Sequence, residues 1–361
     1  MVRLEPVIHE NEVALNKLSN IADYFLIHNR DIKIFADDSV IRLTDDREER
    51  LPIRRSRGYV PEPIRSIVKS NCNILGCGAN QKNTFSLMRE NEIFISHHIG
   101  NLDTRASMEA YESGIKHFTR ILDLEPNSIA VDMHPEYPAT KFGRQLGKEK
   151  NIYLREIQHH HAHIASCLVD NGIDRRVIGI SLDGTGYGAD GNIWGGEILS
   201  ADLKDYSRLA HLENVPLPGG DRAILEPWRM AATYIYSVLG EDPTSLGIDF
   251  SGRINGEKWK IIKRMIDRDI NCPRTSSCGR LFDAVSSLLG VRDRITYQGQ
   301  AAIELEMIIE DNIESGYEFE LRTDSMPYII NATPLFEEII EDIEENVNCG
   351  IISAKFHHGL V

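Results

Sequence analysis

Four of the thirteen histidines fall within five positions, His159, His160, His161 and His163. If that stretch is helical, His159 and His163 stand four apart and project from one face. The spacing lets two imidazoles grip one metal ion, as in known helical zinc sites. The competing reading is a run of capping and surface histidines. No glutamate follows His159 directly, which removes a zinc-protease motif but leaves the metal. His160 and His161 are expected to point elsewhere. Twenty residues on, Leu182-Asp183-Gly184-Thr185-Gly186-Tyr187-Gly188 offers backbone N–H groups and one carboxylate, which suits a phosphate. Together these features predict a metal site close to a phosphate-binding turn.

The surrounding pattern supplies elements to hold them. Ile152–Leu154 reads as a strand leading into the histidines, and Ile164, Cys167 and Leu168 continue a helical stripe until Asn171-Gly172. Val177–Leu182 and Asn192–Leu199 are β-rich, with Asp183 to Gly191 as the turn between them. The same layout occurs earlier: Asn73–Gly76, Thr84–Met88 and Ile93–Ser96 read as three strands, joined by Gly78–Asn83 and Arg89–Glu92. Asp103 is the expected N-cap of a helix whose apolar face holds Met108, Tyr111, Ile115, Phe118 and Leu122. Ile129 to Pro135 reads as a buried strand and turn. His97, His98 and His134 are either ligands or hydrogen-bonded structural histidines. Two such meanders suggest a duplicated α/β lobe of the actin-like, sugar-kinase-like type. In that architecture two glycine turns face each other across a cleft and hold nucleotide phosphates.

Composition narrows the class. At 361 residues the chain is long enough for two or three domains. Its 42% hydrophobic and 26% charged residues are ordinary for a globular protein. A net charge of -15 argues against broad nucleic-acid binding. No signal-peptide core opens the chain, and no apolar run is long enough to span a membrane. The six cysteines show no CxxC spacing. A reducing cytoplasm is therefore expected, without disulfides.

The first seventy residues differ in character. Asn11 to Phe25 has helical apolar spacing, and Ile32–Phe35 and Val40–Leu43 read as short extended pieces. Arg47 to Arg57 holds five arginines, suited to a triphosphate or simply to a solvated basic loop. The order His28-Asn29-Arg30, Asp37-Asp38-Ser39-Val40 and Arg55-Ser56-Arg57-Gly58-Tyr59-Val60-Pro61 resembles the second half of a YrdC-like domain. Such domains bind ATP and make carbamoyl- or threonylcarbamoyl-adenylates. The resemblance implies nucleotide-binding roles for Ser39, Ser56 and Arg57. It also implies that the family's N-terminal half lies outside this sequence, and Phe35 stands where arginine is usual. Pro61-Glu62-Pro63 and Ser70-Asn71 bracket the expected boundary, giving a partial YrdC-like piece over 1–68.

Beyond it, Gly78-x3-Lys82-Asn83, Ser96-x-His98-Ile99-Gly100, Asp132-x-His134-Pro135, the histidine cluster and Leu182–Gly186 occur in one order. That order resembles the C-terminal carbamoyltransferase region of the HypF family of hydrogenase maturation proteins, a relative of the tRNA threonylcarbamoyltransferases. In both groups two histidines four apart bind a metal, which carries over to His159 and His163. Asp183 matches a further carboxylate of that centre. Pro218-Gly219-Gly220-Asp221 and Glu226-Pro227-Trp228-Arg229 recur near the family's cleft. Thr275 to Asp283, and Thr296 to Ala302 with Gln298 for a usual glutamate, resemble its adenosine-side elements.

The resemblance thus implies a two-lobe domain over 69–361, with lobes of about 69–175 and 176–361. It implies nucleotide or carbamoyl-adenylate contacts at Lys82, Asn83, Gly184, Thr185, Gly186, Gly219, Gly220, Asp221, Gly279, Arg280, Asp283 and Gly299. The cofactors implied are ATP and a divalent ion (zinc, iron or magnesium). Carbamoyl phosphate would be the substrate and the C-terminal cysteine of HypE the acceptor, with no nucleophile from this chain. The family pattern also continues past Val361 into a Gly-Gly segment and another metal-binding aspartate. The rival expectations are a tRNA threonylcarbamoyltransferase and a non-catalytic docking piece. Finally, Phe336–Val347 reads as an acidic surface helix, and Ile351–His357 as the start of another.

Overall fold

Two meanders expected from the sequence organise two separate sheets. The computed structural model describes residues 7–43 and 50–361. The chain divides into one contact unit of 7–158 with 167–174 and another of 159–166 with 175–361.

In the first unit the strands are β1 (Val40–Leu43), β2 (Arg50–Arg54), β3 (Ile64–Arg65), β4 (Ile74–Gly76), β5 (Ser86–Arg89), β6 (Glu92–Ile95), β7 (Ser128–Asp132) and β8 (Tyr153–Ile157). The last six form one sheet in the order β3-β6-β5-β4-β7-β8. β4 pairs antiparallel with β5 and parallel with β7, so its two flanks need different connections. The loop 77–85 serves the first, and a crossover helix each parallel step. Those helices are α2 (Arg105–Leu122) and α3 (Pro138–Lys150). α2 is capped by Thr104, whose hydroxyl accepts the Ser107 N–H while Ser107 reciprocates. Asp103, the expected cap, instead accepts a hydrogen bond from Asn80 at 2.9 Å. The face of α2 toward the sheet carries Tyr111, Ile115 and Phe118, and Phe85 meets Tyr111 and Phe118 edge-on. α3 lies close because Gly143 has no side chain: a Cβ there would sit 2.4 Å from Val131 Cγ1.

Ahead of the sheet, α1 spans only Asn11–Leu18, short of the expected Phe25. It buries no residue, so no packed face carries it further. Ile32–Phe35 forms no strand; Phe35 is buried and meets His97 edge-on at 5.1 Å. β1 and β2 form an antiparallel ribbon. Arg47, within the expected arginine run, lies outside the described residues.

In the second unit β9 (Val177–Tyr187), β10 (Ile193–Ala201) and β11 (Tyr206–Leu212) form the second meander. β12 (Val215–Pro216), β13 (Arg274–Thr275), β14 (Glu320–Arg322) and β15 (Tyr328–Asn331) complete a seven-stranded sheet. α4 (His159–Asp170) packs its N-terminal part on the Gly179 face of β9, where a Cβ would fall 2.4 Å from Ile164 Cδ1. The remaining helices are α5 (Asp221–Leu225), α6 (Trp228–Tyr234), α7 (Asp249–Arg253), α8 (Gly256–Asp267), α9 (Cys278–Leu288), α10 (Gln300–Met307), α11 (Thr333–Glu344) and α12 (Cys349–Leu360). Their core includes Met230, Phe250, Leu281, Leu335, Phe336 and Phe356. α11 is the amphipathic helix its pattern suggests, with Glu337, Glu341 and Glu344 exposed. Leu335, Phe336 and Ile339 on its apolar face are buried, with Phe336 stacked on Tyr234 at 4.6 Å. No helix among the described residues is long and apolar enough to cross a membrane.

His97 makes the first unit sensitive to acid. The ring is buried between Phe35 and Phe118, and its Nε2 has no hydrogen-bond partner among the described residues. Burial, with His98 and His117 nearby, pulls its pKa from 6.5 to about 4. The folded ring stays neutral while the unfolded ring takes a proton between those values. Stability is thus complete above pH 6.5 and falls as the pH drops toward 4, by on the order of 3 kcal/mol. Urea midpoints across that window are expected to fall in the wild type and to flatten in His97→Phe. Parallel profiles for the two proteins would contradict the assignment.

Candidate metal and nucleotide site

The sequence places a turn at Asp183–Gly191, but β9 runs on through Tyr187 and the turn is confined to the residues after it. The register explains why. Leu182 pairs with Gly196 and Gly186 with Trp194. Asp183, Gly184 and Thr185 therefore face the single residue Gly195. The surplus residues must bulge out of the ladder. Gly195 permits this, since a Cβ there would lie 2.6 Å from the Asp183 carbonyl oxygen. The bulge carries the Asp183 side chain to the first turn of α4.

There the donor atoms converge. Asp183 Oδ2 lies 3.2 Å from His159 Nε2 and 3.9 Å from His163 Nε2, and the two imidazole nitrogens are 3.2 Å apart. All three donor atoms lie within 4.8 Å of one another. An ion bonded at about 2.1 Å sets tetrahedral donors about 3.4 Å apart. The triangle fits that requirement, and two imidazoles with one carboxylate suit zinc or iron better than magnesium. His159 Nε2 and Asp183 Oδ2 lie at hydrogen-bond distance, and an ion held between them needs that imidazole nitrogen unprotonated.

Burial alone raises the Asp183 carboxyl. The His159 hydrogen bond and charge, the Gly184 N–H and His163 outweigh it, and the group sits below its usual range as an ionised ligand. Gly184 N–H donates to Asp183 Oδ1 at 2.6 Å, fixing the carboxylate from behind. His160, expected to point away, has Nε2 only 3.7 Å from Asp183 Oδ2 and is fully buried. The bulge reaches past the helix edge, so a third imidazole borders the site. His161 does turn away, its Nε2 meeting the Asp202 carbonyl at 2.7 Å. Gly186 lets these rings approach β9: a Cβ there would fall 2.4 Å from His160 Cε1 and 2.9 Å from His159 Cδ2.

The N-terminus of α9 meets the bulge from the other side. Ser277 caps the helix by accepting the Arg280 N–H and donates to the Gly184 carbonyl at 2.6 Å. A Cβ on Gly279 would lie 2.9 Å from Gly184 Cα. First-turn N–H groups thus lie beside Gly184 and Thr185, an arrangement suited to an anion. Arg280 and Asp283 pair with each other at 2.7 Å in the interior, where burial pushes the Asp283 carboxyl up against the pull of Arg280. Gly219 (φ +89°) and Gly220 (φ +54°) make the turn before α5, which Asp221 begins. Gly299 (φ +75°) precedes α10.

In the first unit, Lys82 adopts φ +49° and its N–H donates to Asn101. Asn83 is buried and holds the turn closed, its amide donating to the carbonyls of Cys77 and Ala79. Ser39 links the 37–39 and 55–57 segments: its hydroxyl donates to the Arg57 carbonyl and accepts the Ser56 N–H. The Arg57 side chain lies 3.4 Å from Asp38 and is largely exposed. His134 stacks on Tyr137 at 4.0 Å, and Asp132 accepts its N–H. Sequence reasoning missed Gly195 and the buried Glu197, and gave Ser277 only as part of the Thr275 to Asp283 segment. Two adjacent glycines inside the β10 pattern were the available sign of a bulge.

Comparison with known proteins defines the class. A family profile for the carbamoyltransferase Kae1-like domain, second subdomain, matches residues 179–361, and one for the HypF Kae1-like domain matches 69–170. The carbamoyltransferase HypF2 of Cupriavidus necator is 40% identical over 308 residues, covering 85% of this chain and 37% of that protein. Carbamoyltransferase HypF of Synechocystis is 35% identical over 375 residues, covering 99% and 47%. A crystal structure of full-length HypF in a phosphate- and nucleotide-bound form superposes with a TM-score of 0.92 at 40% identity, covering 99% of this chain and 55% of that one. That of T. kodakarensis HypF gives 0.86 at 35% identity, covering 99% and 47%. The chain belongs to the HypF carbamoyltransferase family. It spans less than half the length of these two curated relatives.

Gly186 gives a test of the site that leaves every donor in place. Gly186→Ala is expected to push the His159 and His160 rings off β9 and weaken zinc binding by about 10- to 100-fold, the usual cost of disturbing ligand orientation. Isothermal titration of the chain with zinc reads this. An unchanged affinity would contradict the packing account.

Proposed function

We propose that this chain carries the transfer site of an ATP-dependent carbamoyltransferase of NiFe-hydrogenase maturation. In this reading residues 1–68 are the C-terminal part of a YrdC-like domain. Residues 69–361 are a carbamoyltransferase domain of actin-like, sugar-kinase-like type, with lobes of about 69–175 and 176–361. The convergence of His159, His163 and Asp183 beside an anion-suited helix N-terminus carries the reading. The match over almost the whole chain to a nucleotide- and phosphate-bound HypF supports ATP as the nucleotide.

The full-length enzyme would form carbamoyl-adenylate from carbamoyl phosphate and ATP and pass the carbamoyl group to the C-terminal cysteine of HypE. The acceptor thiolate forms a bond to the carbamoyl carbon. The bond from that carbon to the adenylate oxygen breaks, and AMP leaves with the electron pair. His159 and His163 present imidazole nitrogens and Asp183 a carboxyl held below its usual range, so together they would hold a zinc or iron ion. A bound ion supplies Lewis acidity toward phosphate or carbamoyl oxygen. The backbone of Gly184 to Gly186 and the first turn of α9 would receive the phosphate, and Lys82 and Asn83 are further nucleotide-contact residues in this reading. Gly219, Gly220, Asp221, Gly279, Arg280, Asp283 and Gly299 would shape the adenosine side, and Ser39, Ser56 and Arg57 the YrdC-like nucleotide site. The acceptor supplies the nucleophile, so none is required of this chain. The acidic balance fits small-molecule and protein partners rather than RNA.

Two partial reactions separate this reading from a docking role. In the full-length gene product, His163→Ala is expected to retain carbamoyl-phosphate-dependent ATP–pyrophosphate exchange. It should lose transfer to the acceptor cysteine by about 100-fold or more, the scale of several kcal/mol of charge stabilisation. Undiminished transfer would overturn the role of the site, and a wild type silent in both reactions would overturn the enzyme reading.

A further inference from the structure

Glu197 is fully buried, yet it is a carboxylate and sits two residues from the bulge partner Gly195. A buried carboxylate persists only where each oxygen is satisfied. Here Oε2 accepts from Arg208 Nε at 2.6 Å. Oε1 accepts from the Ser276 hydroxyl at 2.5 Å and from the Gly195 N–H at 3.2 Å. The last contact is the informative one. Ile193, two residues earlier, gives its carbonyl to Ser276, so the Gly195 amide faces the same side, between the β13 pairing at Ile193 and the β11 pairing that starts at Glu197. A buried amide left there without an acceptor costs about 1–3 kcal/mol. Glu197 supplies the acceptor.

The same carboxylate reaches the opposite wall. Ser276 N–H donates to the Ile193 carbonyl, and the next residue, Ser277, donates to Gly184. Glu197 therefore grips Gly195 on one side of the bulge and, through Ser276, the corner whose neighbour grips it on the other. Arg208 pairs with Glu197 and is itself fixed: it lies 3.9 Å from the centre of the Trp194 ring and 3.2 Å from Asp190, whose other oxygen accepts the Trp194 N–H.

We infer that Glu197 is a positioning residue: held by Arg208, it stabilises the β9 bulge and thereby keeps Asp183 turned toward His159 and His163. It touches no substrate and binds no metal. The inference rests on the metal reading above for its consequence, though the bulge itself does not depend on that reading. A salt bridge serving only the core would affect global stability alone. A positioning role affects the geometry of the metal centre and the local protection of residues 183–187.

The test uses cobalt(II) as a spectroscopic probe and hydrogen exchange as a metal-free readout. The control is Leu288→Ala, a core truncation in α9 away from these contacts. In this chain, Glu197→Ala is expected to weaken cobalt binding by about 10- to 100-fold and to alter the visible ligand-field bands. It should also speed amide exchange across 183–187 at least tenfold beyond the change at β11. Leu288→Ala lowers the melting temperature but keeps the bands, the affinity and the local protection. If Glu197→Ala keeps the wild-type bands, affinity and local protection, or if Leu288→Ala changes them equally, the inference is overturned. If the wild type and His159→Ala both take up no cobalt, the metal reading fails by itself. The exchange arm then decides whether Glu197 holds the bulge.

Discussion

The second unit depends on one register mismatch, three residues of β9 set against Gly195 of β10. A regular ladder would turn Asp183 along the sheet with its neighbours. The bulge moves it out to the first turn of α4, where the histidine spacing already holds two imidazole nitrogens 3.2 Å apart. Everything around the site accommodates that displacement. Gly186 admits the histidine rings, Gly195 admits the displaced carbonyl, and Gly279 admits the start of α9. Each is a place where a side chain would collide, so close approach rather than flexibility accounts for these glycines.

The two units build comparable meanders and use them differently. In the first, β4 is flanked on both sides, and its turn is closed by the buried amide of Asn83. In the second, β9 pairs with β10 along one side, and its functional residues sit within the strand rather than in the turn. Ile178, Ile180 and Leu182 line one exposed face of β9, while Gly179 and Ser181 alternate with them toward α4. The apolar alternation that marked this strand in the sequence thus reports the face away from the helix.

Much of the arrangement was legible before any coordinates. The i, i+4 pair His159 and His163 needs only a helix, and the stripe through Ile164 and Leu168 supplied one. The meanders were visible because their strands are short and punctuated. Asp183 came from the ordered motifs of a family rather than from local chemistry. What stayed hidden depends on register and tertiary contact. Local pattern does not say that β9 continues through a Gly-Thr-Gly segment, because glycine reads as turn until its cross-strand partner is known. His160 looked misdirected on a helical wheel, and only the reach of the bulge brings it to the site. α11 keeps its acidic face exposed as its pattern suggests, but the depth to which Leu335, Phe336 and Ile339 enter the core depends on tertiary contact.

The central claim is that two imidazoles and one carboxylate form a single metal centre. X-ray absorption of this chain loaded with one equivalent of zinc tests it most directly. The account predicts nitrogen and oxygen neighbours at about 2.0–2.1 Å, with outer-shell scattering from two imidazoles. That scattering should disappear in the His159→Ala, His163→Ala double variant. Zinc bound without imidazole scattering, or an unchanged spectrum in the double variant, would contradict it.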